Sequence, residues 1–305
     1  MRSLARYILS GPFQAVTVVF VFALLSFPLP FLIIMSGGAL ALVTLKVGIR
    51  QAISVLLICV ALVAFSTFLL LGTLSAGPLI IWASIVAVTY AYQHFRSLSL
   101  ALQALTVGGV VLTVLLTILF PDMQADWLLY LKNLLAAIEQ GPSFQIMMQN
   151  SNLSLEHAEQ HLPRIASLMT GMVVAVYLLT TTIAVSFGGW WNDLLDDTPA
   201  FHKEFVRFNL GRALAILVIL FAVGAWTAKA AIFWQLTIVC LSMFFLQGLG
   251  LTHAVIGMLS KPLLGFITVY GLLFIATPQM MLVLASAGIL DGLIDFRKRF
   301  LKSEM

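Results

Sequence analysis

Residues 52–72 read AISVLLICVALVAFSTFLLLG, twenty-one positions without one charged side chain. At about 1.5 Å per residue, such a stretch coiled as a helix matches the roughly 30 Å hydrocarbon core of a bilayer. It shows too little alternation for a barrel strand. Backbone N–H and C=O groups in lipid must be paired inside the chain, which leaves the helix as the solution. Comparable runs recur at 9–27, 29–45, 78–94, 98–120, 165–188, 210–227, 231–257, 262–277 and 279–294. Of 305 residues 61% are hydrophobic and 9% charged, with a mean hydropathy of +1.07. Soluble domains carry about 25% charged residues. The chain therefore reads as all-α, a polytopic transmembrane bundle of about ten spans (eight to ten) forming a single integral membrane domain over residues 1–305.

Two span boundaries rest on proline alone, at Phe27-Pro28-Leu29-Pro30 and at Thr277-Pro278. Proline lacks an N–H and crowds the preceding turn, so each site is either a tight hairpin or a kink. Charge placement arbitrates. With ten spans and a cytoplasmic N-terminus, only Lys132, Arg164 and Lys229 of the sixteen Lys and Arg fall outside. Merging both proline-split pairs spoils that bias, so the positive-inside rule favours ten spans with both termini cytoplasmic. The net charge of +4 and pI of 9.2 are explained by these helix-end cations, without nucleic acid as a partner. Arg2 and Arg6 precede an apolar stretch from Gly11 to Ser26 with no small-residue cleavage site after it, which predicts an uncleaved first helix. Cys59 and Cys240 sit alone in apolar runs and read as buried small hydrophobes.

The long polar segment, 121–164, is expected to be an extracytoplasmic amphipathic helical insertion. Trp127, Leu128, Leu131, Leu134, Leu135 and Ile138 line one face of a helix along the membrane surface, ended by Gly141 and Pro142. A second short helix is expected from Ser154 to Pro163. A cap over the bundle and a plain spacer are both open readings. The inner loop from Trp190 to Arg212 holds Trp190, Trp191, Asp193, Asp196 and Asp197 before Lys203 and Arg207. It reads as membrane-edge anchoring or as a docking site for a partner.

Within the eighth span, Gln247, Thr252 and His253 are polar groups at or near membrane depth, and Gly248 and Gly250 permit close approach of a helix or a ligand. Interhelical packing and a substrate or proton site are the two readings, and Gln247, Gly248, Gly250 and His253 are the candidate substrate-binding set. Asp291 and Asp295 lie four apart on one helical face, either an ion-paired helix end or a cation or proton site. His157 and His161 have a spacing that can hold zinc, but their order is not that of a metalloprotease and no third ligand is apparent, so no metal is assigned. The sequence shows no phosphate-binding loop before a Lys and no nucleophile elbow, and it is read as a non-enzyme without a cofactor.

Several segments resemble the YybS-like family of bacterial membrane proteins: Pro28-Leu29-Pro30 leading to Lys46-Val47-Gly48-Ile49-Arg50, Leu162-Pro163, and Pro199-Ala200-Phe201 through Phe208-Asn209-Leu210. Gln247-Gly248 and Gly288 to Arg299 complete the match. The resemblance implies a fold related to the substrate-binding S components of energy-coupling-factor transporters, which capture micronutrients. It carries over no catalytic residue. The expectation is an inner-membrane, transporter-like substrate-binding subunit for a small molecule, energised by a partner ATPase subunit. Ligand enters beneath 121–164 and meets Gln247 and His253. The rival reading is a non-transporting scaffold in envelope or membrane biogenesis, recruiting partners through the inner loop and basic tail.

Overall fold

The computed structural model describes residues 1–72, 77–140, 155–258 and 262–294, with backbone alone for residues 70, 71, 77 and 155–158. These residues form thirteen helices, and no strand occurs among them. In chain order they are α1 (Arg2–Leu9), α2 (Pro12–Leu25), α3 (Leu32–Lys46), α4 (Ile49–Leu71), α5 (Gly77–Phe95), α6 (Leu98–Leu119) and α7 (Met123–Glu139). Then follow α8 (Leu155–Asp196), α9 (Ala200–Arg207), α10 (Gly211–Ala228), α11 (Ala231–Gly257), α12 (Pro262–Ile275) and α13 (Thr277–Ile294). Six of them, α4, α6, α8, α10, α11 and α13, are long and apolar enough to cross a membrane, while α2, α3 and α12 are shorter apolar helices.

The side chains bear out a membrane protein, because the helices are apolar on both faces. In α10 the buried face carries Leu214, Ala215, Val218 and Ala225, and the opposite, exposed face carries Ile216, Ile219, Leu220 and Val223. A helix in water puts charge on its outer face, whereas one that is hydrophobic all round sits in a core or in lipid. Half of the apolar window of α8 and 61% of that of α11 are buried, against 22% in α6 and α10, which makes α8 and α11 the central helices. Around them, residues 36 to 44 of α3 are buried without interruption, enclosed by α2, α4, α5 and α8.

The two proline breaks resolve differently. Residues 26–31 form a turn, and Ser36 Oγ donates to the Val19 carbonyl at 2.8 Å across it, so α2 and α3 are a helical hairpin. At Pro278 only Ala276 separates α12 from α13. Helical bonds from Ala276 N–H to the Leu272 carbonyl (2.8 Å) and from Met280 N–H to the Ala276 carbonyl (2.9 Å) bracket it, so the chain bends there.

Two further expectations need correction. The short helix ending at Pro163 and the separate span at 165–188 are one helix, α8, of 42 residues. Pro163, nine residues into this helix, gives up one interior backbone bond, yet the helix continues through it. The helix also runs on through Trp190 and Trp191 to Asp196. Trp191 is fully buried against Phe187, so it belongs to the core, while Trp190 stays 43% exposed. As for α7, it packs on α8 with Trp127, Leu128, Leu131 and Leu135 half-buried, but Leu134 and Ile138 face outward.

Polar bonds gather at one end of the bundle. Arg2 donates from Nε and a guanidinium nitrogen to the Leu194 carbonyl (2.9 and 2.7 Å) and pairs with Asp197, while Lys46 pairs with Asp196. Cations here satisfy the free carbonyls and the dipole at the α8 C-terminus. Asp193 accepts from the N–H groups of Phe201 and His202, both at 2.9 Å, and so caps α9. All three aspartates of the expected inner loop are thus used within the chain.

Where α3 crosses α8, a methyl added at Gly188 would lie 2.6 Å from Ala41 Cβ and 2.7 Å from the Gly38 carbonyl oxygen, whereas one at Gly108 meets nothing within 4 Å. Gly188→Ala is expected to cost about 1–3 kcal/mol by overpacking, and Gly108→Ala to be neutral or slightly stabilising. Thermal unfolding of the detergent-solubilised protein compares them. Equal midpoints would contradict this crossing.

Candidate functional site

Gln247 and Asp291, assigned to separate motifs by the sequence, are hydrogen-bonded to each other. Both are fully buried, and Gln247 Nε2 donates to Asp291 Oδ2 at 2.8 Å. On its other side Gln247 Oε1 accepts from the backbone N–H of Leu210 at 2.9 Å. Leu210 sits at the start of α10, where N–H groups have no helical partner and need a substitute. Nearby, Asn209 accepts at Oδ1 from Gly211 N–H (2.7 Å) and donates from Nδ2 to the Asp291 carbonyl (3.4 Å). Its own N–H donates to Ser99 Oγ (3.0 Å), and its carbonyl accepts from Gln103 Nε2 (3.1 Å). Gly211 holds a φ of +83°, a left-handed conformation that an L side chain resists. Residues 208–211 are therefore tied at once to α6, α11 and α13.

The glycines make this possible. A Cβ at Gly248 would collide with the Leu284 carbonyl oxygen, and one at Gly288 with that of Phe244, so α11 and α13 touch backbone to backbone. Small residues allow this approach in membranes. The pairing of 248 with 284 and of 244 with 288 is antiparallel, whereas ten alternating crossings would set the eighth and tenth spans parallel. Gly250 packs against the Phe205 carbonyl and Phe208.

The remaining candidates lie elsewhere. His253 Nε2 shares a 2.9 Å hydrogen bond with Tyr270 Oη and packs edge-on to Phe266, so it joins α11 to α12 and not to Gln247. Thr252 bonds back to the Gly248 carbonyl. Asp295 and the side chain of His157 lie outside the described residues, and His161 is exposed.

A cavity lies at the opposite end, near α7. Its volume is about 750 Å³, and Arg164, Ser167 and Leu168 of α8, Ala225 and Trp226 of α10, Lys229 and Trp234 line it. Its walls are fixed by Gln235, whose Nε2 donates to the Ser167 carbonyl at 2.7 Å and whose backbone abuts Gly171. Trp127 Nε1 of α7 donates to Thr170 Oγ1 at 3.1 Å one turn along α8. Trp234 and Gln247 are thirteen residues apart on α11, about 20 Å along the helix, so the cavity and the polar cluster are separate sites. The sequence held two cues to this cavity, since Arg164 and Lys229 are two of the three cations expected outside. It gave none that they converge.

Gln247→Leu strands the Leu210 N–H and removes one hydrogen-bond partner of the buried Asp291 side chain, with an expected cost of about 2–4 kcal/mol. His253→Ala breaks one half-buried bond and is expected to cost no more than about 1 kcal/mol. Unfolding midpoints in mild detergent decide, and an equal or reversed ranking would show that the Gln247 bonds are not formed.

No protein-family model, no curated protein and no solved structure matches the chain.

Proposed function

We infer that the chain is a multi-pass inner-membrane protein of transporter-like type. On this reading it captures a small molecule in the cavity between α8, α10 and α11. The observation that carries this is the cavity itself, whose volume falls within the roughly 300–1,000 Å³ of small-molecule sites and whose lining mixes cations, indoles and apolar groups. The Gln247–Asp291–Leu210 cluster is filled by its own partners and holds the other end closed. This reading moves capture from Gln247 and His253, where it was first expected, to the cavity.

Arg2, Arg6, Lys46, Arg50, Arg96, Lys203, Arg207 and Arg212 belong to the end holding α1 and α9, against Lys132, Arg164 and Lys229 at the α7 end. This bias supports a cytoplasmic α1 and α9 end and an extracytoplasmic cavity. The eight-to-ten crossings enter with it, α2–α6, α8, α10 and α11 supplying eight and the bent α12–α13 pair the remainder. The side on which residues 295–305 emerge falls outside the described residues. The resemblance to YybS-like proteins and S components fits this reading and supplies its energetic part, a partner ATPase subunit.

Mass spectrometry of small molecules released from the gently solubilised protein tests capture. A species that co-purifies with wild type and is lost from Ser167→Phe, which fills the cavity, is the expected result. Equal recovery from both proteins, or recovery of nothing from wild type, would contradict it. The scaffold reading predicts instead that only charge reversal on the exposed face of α9, Lys203→Glu with Arg207→Glu, abolishes function.

A further inference from the structure

Building on the capture reading above, we propose that this cavity takes a phosphate group between Arg164 and Lys229, with any apolar part of the ligand against Trp226 and Trp234. The lining includes two cations and, among the described residues, no acidic one. The ion pairs among the described residues are Arg2–Asp197 and Lys46–Asp196, so neither cavity cation has a carboxylate partner among those residues. Two like charges lining one cavity repel each other, and an anion between them turns that repulsion into attraction.

Lys229 caps the C-terminus of α10, where the helix dipole favours a cation, but Arg164 lies inside α8, where no such cause applies. Lys229 also holds a left-handed φ of 53°, which Asn or Gly adopts at lower cost. A phosphate offers oxygens to both the guanidinium fork and the ammonium group. Trp226 and Trp234 are 79% and 40% exposed, as expected of indoles at a membrane–water boundary. From Trp226 the exposed stripe Val223, Leu220, Ile219 and Ile216 continues along the same helix and gives an acyl chain an apolar path. The phosphate comes either from a lipid headgroup or from a water-soluble phosphate.

The test uses the full-length protein in nanodiscs, in two arms. In the lipid arm, nanodiscs of phosphatidylcholine with added phosphatidylglycerol are dissolved in mild detergent and the retained lipid is counted by native mass spectrometry. In the soluble arm, inorganic phosphate is titrated into phosphatidylcholine nanodiscs while tryptophan emission is followed. The proposal expects selective phosphatidylglycerol retention, or a saturable emission change with phosphate, each naming its source. Either signal falls about tenfold or more in Arg164→Gln with Lys229→Asn. Because Asn accepts the left-handed conformation, the variant is expected to keep the wild-type unfolding midpoint, which ties the loss to charge.

Equal signals in wild type and the double variant would overturn the phosphate assignment. If Ser167→Phe still strips the co-purifying molecule while the double variant keeps it, the capture reading stands and this inference alone fails. If both variants keep it, both fail.

Discussion

A backbone N–H taken out of water must find an acceptor, and at Leu210 that acceptor is a side chain from another helix. The Oε1 of Gln247 meets it at 2.9 Å, and the Nε2 of the same amide holds Asp291 at 2.8 Å. One neutral group thus serves an orphan donor at a helix start and a buried carboxylate at the same time. In a low-dielectric interior each bond is strong when made and costly when missing. The arrangement requires α11 and α13 to run in backbone contact, which only Gly248 and Gly288 allow. Placement of α10 and of the 208–211 turn, tied through Asn209 to Ser99 and Gln103 of α6, follows from it.

That connection also divides the molecule. At its level the bundle is filled by hydrogen-bonded side chains and apposed glycines. At the α7 end α8, α10 and α11 part to leave a cavity whose rim is cationic and aromatic. The same two helices, α10 and α11, form both regions. At the cavity end a two-residue turn, Lys229 and Ala230, joins α10 to α11, and Gln235 bonds α11 to α8.

The helical, membrane-embedded class was legible in the residues, because length and apolarity are local properties. Residues 52–72 announce a span without reference to any neighbour. Pairings were not legible, since Gln247 and Asp291 are 44 positions apart and nothing local links them. Each motif was read with a local role of its own, whereas Gln247 and Asp291 meet each other. Pro163 misled because a proline usually ends or kinks a helix, whereas here it lies inside one and the boundary it suggested does not exist. Trp191 misled because an indole reads alike as interface anchor or core, and only packing against Phe187 decides between them. The cavity needs Arg164, Trp226, Lys229 and Trp234 to converge from three helices and a turn, which no periodicity encodes.

The account depends most on α11 and α13 being joined through Gln247 and Asp291, and a double-mutant cycle measures that joint directly. Unfolding free energies of Gln247→Leu, Asp291→Leu and the double variant, taken in one detergent, give the coupling between the two positions. The structure predicts a coupling of about 1–3 kcal/mol, with the double variant less damaged than the sum of the singles. Additive effects, agreeing within about 0.5 kcal/mol, would show that the two side chains do not meet.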